Sequence, residues 1–416
     1  MSTASSSADT LAAPSTAAAS VQRVVSIDIF RGLTMLVMIF VNDLADVHGL
    51  PWWTYHAHAQ QDLMTYVDMV FPFFLFIVGM SMPLAIERRL KQNPSRVALW
   101  LHIAMRSCGL IVLGLILANA EKVDPARTHM SGSVWALLGL TGGILFWLVP
   151  SRDTRHRRIY LALRVAGLLL LIAVFAIFRR TTSDGSVGWI DGSYPEILGL
   201  IGYTYFSVAL LYVPTRRWQW APLAWFAALT AFCALVVARL IHWPSHLPLF
   251  IWPFSNGAHP AITMAGIATS AILLLLGPEH KQRLRGRILY ALAFASAMFA
   301  AAWLLTPLGI SKIRATPTWL LVSSGTAVLS FLLLYWICDM KGWTRWAAIV
   351  KPAGENTLLT YLLPDLYYFL ITLVGFHSFD RHFRTGMPGV VRSVIFTLLI
   401  LAFSGLLTRR RIRLQL

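Results

Sequence analysis

Charge is what this sequence has least of. Only 13% of its 416 residues are Asp, Glu, Lys or Arg, about half the share of an ordinary soluble domain. A chain this long with so little charge cannot cover a large water-facing surface. Acidic residues are the scarcer kind, 18 against 35 basic ones, which leaves a net charge of +17. Cysteine is nearly absent. Cys108, Cys233 and Cys338 lie far apart in or at the ends of apolar runs. None belongs to a CxxC or Cys/His spacing, so a structural zinc site is excluded and no metal is expected. The Ser-, Ala- and Thr-rich residues 1–22 lack a basic region followed by an apolar one. They are not a secretory signal peptide and read as a disordered cytoplasmic tail.

Apolar residues are abundant. They make up 57% of the chain and gather into twelve segments: 26–45, 66–86, 98–118, 132–150, 159–178, 196–214, 220–240, 260–277, 287–308, 318–338, 356–375 and 389–408. Most reach the roughly 20 residues needed to cross a bilayer core about 30 Å thick; 132–150 and 260–277 are short and Gly-rich. The predicted fold is all-α, a polytopic bundle of about 11–12 transmembrane helices. Residues 23–410 form one membrane domain and 411–416 a basic cytoplasmic tail.

Alternate loops differ in charge. One set carries Arg88, Arg89, Lys91 and Arg96, then Arg152, Arg155, Arg157 and Arg158, then Arg216 and Arg217, then Lys281, Arg283, Arg285 and Arg287, then Lys341, Arg345 and Lys351. The other set holds far fewer: Lys122, Arg127, Arg179, Arg180, Lys312, Arg314, Arg381 and Arg384. The basic set is expected on the cytoplasmic side of an inner membrane, with both termini inside. This also accounts for the net positive charge without a nucleic-acid partner. Nine of the twelve histidines fall on the opposite side, among them His48, His56, His58, His246, His259, His377 and His382, accompanied by Trp52, Trp53, Trp243 and Trp252. Polar chemistry at the outer mouth and plain interfacial packing both fit that asymmetry.

Ionisable residues inside spans are costly and mark candidates. Asp28 and Arg31 stand three apart on the first helix, where a local ion pair is expected. Arg106 lies near the middle of its span. Asp365 follows Pro364 deep in the eleventh span, which is expected to break there and line a cavity.

The stretches SIDIFRGLTMLVMIFVND (26–43) and HAHAQQDLMTYVDMVFPFFLFIVGMSM (56–82) carry the densest motif. They resemble the heparan-α-glucosaminide N-acetyltransferase-like family and its bacterial predicted membrane acyltransferases (DUF5009-type). The family pattern is matched at Asp28, Phe30, Arg31, Gly32, Asn42, His58, Asp68, Phe71, Pro72 and Gly79. Ten residues separate His58 from Asp68, and that spacing selects His58 over His56. YPEILGLIGYTYFSVALLY (194–212) and GENTLLTYLL (354–363) match more loosely, the latter through Gly354, Asn356 and Tyr361. Two departures stand out. The Trp-Asn after the loop histidine is Gln61-Asp62, and the Asp-Pro-Glu-Gly turn before the eighth span is SNGAHP (255–260).

The resemblance implies transfer of an acetyl group from cytoplasmic acetyl-CoA to an amino sugar or glycan outside. It implies His58 as base or acetyl carrier, Asp68 as its orienting carboxylate and Asn42 as a holder of the thioester carbonyl. Arg31, with Asp28, and Asn356 are the expected contacts to the CoA side. Expected partners are the bilayer and the sugar acceptor, and the sequence leaves room for a homodimer. The competing classes are an amino-sugar permease, since bacterial relatives are associated with amino-sugar uptake, and a catalytically dead partner-binding protein, given the lost turn.

Overall fold

The structure is a computed structural model that describes residues 24–148, 157–242, 256–274, 284–375, 383–410 and 412–414. The tail 1–22, His246, His377, His382, Trp243, Trp252, Arg152, Arg155, Lys281, Arg283 and Arg381 lie outside the described residues.

Among the described residues almost all regular structure is helical. The helices are α1 (Val25–Leu44), α2 (Val67–Gln92), α3 (Arg96–Asn119), the single turn α4 (Pro125–Thr128), α5 (Gly132–Trp147), α6 (Arg157–Ile177), α7 (Glu196–Thr215) and α8 (Ala221–Val237). They continue with α9 (Ala258–Leu273), α10 (Leu284–Leu304), α11 (Pro317–Tyr335), the short α12 (Lys351–Glu355), α13 (Thr357–Val374) and α14 (Gly386–Arg409). One small antiparallel hairpin, β1 (Arg180–Thr181) with β2 (Val187–Gly188), joins α6 to α7. Among the described residues, nine helices are long and apolar enough to cross a membrane, and α5, α8 and α9 are shorter apolar helices. The chain is thus an all-α, multi-pass membrane protein. The twelve apolar segments correspond to α1, α2, α3, α5 to α11, α13 and α14.

The helices sort by what surrounds them. Leu161, Val165, Leu169 and Ile172 of α6 are exposed, as are Leu289 and Tyr290 of α10, so these helices face lipid. The residues of α9 from Ala258 to Ser270 are all buried. That central position explains why a 16-residue helix, roughly 24 Å long, suffices there. Backbone contact holds it. A Cβ on Gly79 of α2 would lie 1.9 Å from the Thr263 carbonyl oxygen, and one on Gly266 of α9 would lie 2.0 Å from that of Phe76. Small residues that let two backbones touch are the usual adhesive between helices in lipid, where no hydrophobic force drives them together.

We call the end where α1 finishes and α2 starts the upper end, and the opposite one the lower end. Upper loops are tied to one another. Lys122 pairs with Asp191 at 2.7 Å, Thr128 with the Arg179 backbone, and His48 with the Arg384 carbonyl at 2.8 Å. The first helix is locked at this end by a buried charge cluster. Arg392 of α14 donates to Asp43 at 3.2 Å and to the Tyr368 hydroxyl at 3.3 Å, while Tyr368 donates to the other Asp43 oxygen.

Two expectations about intramembrane residues are settled by packing. Pro364 does not break its helix: α13 runs through it, and the interruption falls eight residues earlier at Asn356, between α12 and α13. Arg106 lies 4.9 Å from the centroid of the Tyr205 ring, a cation–π contact that partly offsets the cost of a charge in a span.

Candidate active site

Asp68 sits in the first turn of α2 and is fully buried. Its Oδ2 accepts from the Thr65 N–H at 3.0 Å and the Ala57 N–H at 3.3 Å. The loop 45–66 therefore folds over the start of α2 and closes on this carboxylate. The indole N–H of Trp319 in α11 donates to the Asp68 carbonyl at 3.1 Å. The remaining oxygen, Oδ1, lies 2.7 Å from Nδ1 of His56. Nδ1 is then the protonated ring nitrogen, since an ionised carboxylate only accepts. Nε2 is left with its lone pair on a half-exposed side chain.

That side chain lines a small, half-open cleft. Its walls are mostly apolar: Met38 and Val41 of α1, Val70 and Phe71 of α2, and Ile197 of α7. Its polar groups are His56, Asn42 and Lys312. The Asn42 amide, exposed at the upper end of α1, makes no hydrogen bond to another described residue. Asp43, one residue further, points the other way into its buried pair with Arg392. The same pair that locks the helix end thus turns Asn42 to the cleft. Lys312 Nζ is 3.4 Å from both ring nitrogens of His56. Burial pushes the Lys312 ammonium below its ordinary value and the Asp68 charge pulls it partly back. Behind Phe71 lies a buried histidine, His259 of α9, its ring edge-on to Phe71 at 5.3 Å and to Trp319 at 6.1 Å.

The trio expected from spacing, His58, Asn42 and Asp68, does not line one cavity. His58 is exposed on the loop, and its backbone N–H donates to Gln61 Oε1 at 3.2 Å. His56 takes the place beside Asp68. The physical reason is that residues 56–66 are irregular loop rather than helix, so the number of residues back from Asp68 does not fix which side chain returns to it.

The expected donor-side residues are occupied by the fold itself. Arg31 donates to Ser81 Oγ of α2 at 2.6 Å, to the Gly354 carbonyl at 3.1 Å and to Asp28 at 3.3 Å. It is a clamp across three helices. The Asn356 amide donates to Thr408 Oγ1 at 3.1 Å and to the Ile412 carbonyl at 2.9 Å, and accepts from the Leu414 N–H at 3.1 Å. Both its N–H groups are used to pin the C-terminal segment. The two sequence departures are also accounted for. Asp62 pairs with Arg314, and in the SNGAHP turn Asn256 caps α9 through the Ala258 N–H at 3.1 Å while donating to the Ala315 carbonyl at 3.0 Å.

Two features went unread in the sequence. Lys312 was counted only as a loop cation, although it is one of few basic residues at this end. Glu196 opens α7 with φ +57°, in the left-handed region that disfavours side chains. Its Oε1 accepts from the Tyr361 hydroxyl at 2.7 Å and its Oε2 from the Leu198 N–H at 2.9 Å.

Residues 23–234, just over half of the chain, match the family described as "Domain of unknown function (DUF5009)". The chain belongs to that family. Its curated relatives include the heparan-alpha-glucosaminide N-acetyltransferase of Homo sapiens, 39% identical over 97 residues, and that of Mus musculus, 38% identical over 117 residues. The matched stretches are 23% and 27% of this chain but only 14% and 17% of those relatives. The chain thus spans only a small fraction of the length of the proteins it matches.

Proposed function

We propose that this DUF5009 protein is a membrane acetyltransferase. It moves an acetyl group from acetyl-CoA, taken from the cytoplasmic lower end, to an amino sugar or glycan at the upper end. The basic loops of the lower end support an inner-membrane protein with both termini in the cytoplasm. The observation that carries the reading is the Asp68–His56 pair at 2.7 Å, with a free Nε2 on the same cleft as Asn42. The activity for which the similar human and mouse proteins are named suggests the reaction class.

The two substrates come from opposite faces, and the cleft holds only their reacting ends. A covalent relay on His56 separates the two encounters in time. Nε2 attacks the thioester carbonyl carbon; an N–C bond forms and the C=O pair moves onto oxygen. Collapse breaks the C–S bond, and its electron pair leaves on sulfur as thiolate. The acetylimidazole keeps its proton on Nδ1, facing Asp68, which stabilises the positive charge as a carboxylate does for imidazolium in other acyl transfers. The acceptor amine then attacks the same carbon, the C–Nε2 pair returns to the ring, and the surplus amine proton leaves to water. Asn42 offers an amide N–H to the carbonyl oxygen in both steps.

The acetyl end suits the cleft, whereas Arg31 and Asn356 are engaged in helix ties. The phosphates therefore fall to other lower-end basic side chains. Labelled acetyl-CoA and a panel of amino sugars, given to the full chain in nanodiscs, test the reading. Label should reach sugar with wild type and His58→Ala but not with His56→Ala, and without acceptor it should stay on the His56 peptide. Transfer that survives His56→Ala sinks the site. Sugar flux into vesicles with no acetyl transfer would replace the reading with a permease.

A further inference from the structure

We propose that Lys312 is a further catalytic residue, whose ammonium holds the oxyanion formed when an acyl carbonyl is attacked by His56 Nε2. The proposal rests on the reaction class above and adds a group that the motif does not contain.

Distance comes first. Once Nε2 is bonded to the carbonyl carbon, the carbonyl oxygen is two bonds from Nε2, about 2.3 Å away. Oxyanion donors act at about 2.7–3.1 Å from that oxygen. Nζ of Lys312 stands 3.4 Å from Nε2, beside the nitrogen at which the oxyanion develops. Nζ is equally far from Nδ1. It therefore stands over the ring edge between the two nitrogens and leaves the Nε2 lone pair open to the acyl carbon.

Preorganisation comes second. Lys312 is carried on a short loop before α11 that is fastened at several points. The Ser311 N–H donates to Thr316 Oγ1 at 3.0 Å, the Thr316 N–H to the Ser311 carbonyl at 3.1 Å and the Ala315 N–H to the Lys312 carbonyl at 3.0 Å. Asn256 and Cys233 both donate to the Ala315 carbonyl, which ties the loop to the start of α9 and to α8. Arg314 pairs with Asp62 of the loop that bears His56. A cation held in place pays little reorganisation when charge develops beside it.

The third is electrostatics. The titratable groups facing Nζ are His56 of the upper loop, Asp68 of α2 and His259 of α9. Asp68 is spoken for by two backbone N–H groups and by Nδ1. Nζ is the group of positive charge on the cleft wall, and Asn42 faces the cleft from α1 as a neutral donor.

Diethyl pyrocarbonate tests this without CoA or sugar, because it acylates imidazole through the same kind of oxyanion. The probe is applied to the full chain in nanodiscs at pH 8, where an ordinary histidine, pKa about 6.5, is neutral. The rate at the His56 peptide is read by mass spectrometry beside acetyl-CoA turnover. Lys312→Met should slow carbethoxylation of His56 about 100-fold, the scale of losing one oxyanion donor, and lower kcat alike with little change in KM for acetyl-CoA. Lys312→Arg should keep both within about tenfold. Lys312→Gln replaces the Met variant where that one does not fold. Carbethoxylation and turnover within threefold of wild type in the neutral variants overturn the proposal. Lys312-dependent carbethoxylation with no acetyl transfer in wild type would instead remove the reaction class and leave Lys312 as an electrostatic partner of His56.

Discussion

The upper and lower ends of the bundle contain similar polar residues put to opposite uses. At the lower end Arg31 bonds to Asp28, Ser81 and the Gly354 carbonyl, Asn356 bonds to Thr408 of α14, and the Asp339 carboxylate accepts from the Val25 and Ser26 N–H groups at 3.0 Å to cap α1. At the upper end Asp68 is just as fully bonded, yet it hands its last oxygen to a histidine whose other nitrogen opens on the cleft beside an uncommitted Asn42. In a membrane nearly every polar group must be paired. Residue type therefore says little, and an atom left over after the fold has taken its share says more.

The comparison breaks first at His56. Its replacement by alanine should lower acetyl transfer by more than about a thousandfold, within the range that positioned acid–base and nucleophilic groups supply, while His58→Ala stays within about threefold; turnover numbers on the two variants decide. Next comes the buried pair at the upper end. Arg392→Met strands Asp43 and should cost about 3–5 kcal/mol, read as a large fall in Tm in detergent, with any activity loss tracking the folded fraction. Asn42→Ala should do the reverse. Its amide holds no other element, so Tm should stay put while kcat falls about 100-fold or more, the cost of one oxyanion donor.

The lower end answers with Asn356→Ala. Loss of its three bonds should cost about 1–3 kcal/mol and free the C-terminal segment to proteolysis, with KM for acetyl-CoA unchanged in the folded protein. A raised KM would restore it as a donor contact. The smallest effect belongs to a rim pair away from both sites. The Lys122 ammonium beside Asp191 holds that carboxyl well below the usual carboxylate range. A lowered carboxyl pKa stabilises the fold above the ordinary value of about 3.9, and the contribution fades as pH falls below it. The pair is partly exposed, so Lys122→Met should cost about 1 kcal/mol or less, full at pH 7 and smaller at pH 3.

The helices were legible because hydropathy and length are properties of single segments. Each apolar run became a helix displaced by only a few residues, including the short α5 and α9. The ion pair of Asp28 with Arg31 was legible for the same reason, being a matter of helix spacing. The site was legible in part. Asp68 and Asn42 sit at helix ends, where a motif fixes position, and both reach the cleft region. His56 and Lys312 belong to loops, whose course is set by contacts from elsewhere: Asp62 to Arg314, Asn256 to Ala315, Trp319 to Asp68. None of those pairings has a signal in local sequence. Pro364 misled because a proline breaks a helix only where neighbours fail to support it, whereas the chain bends at Asn356, where the C-terminal segment needs an anchor.

The burial of α9 carries a consequence for biosynthesis. α2, which bears Asp68, rests against a helix made some 190 residues later, and Lys312 and Trp319 follow later still. Chains emerge N-terminus first. The motif-bearing helices must therefore wait in the bilayer, incompletely packed, until α9 and α11 have been made. On the mechanism proposed above, the cation beside His56 arrives last, so a chain interrupted before it would not carry the complete site.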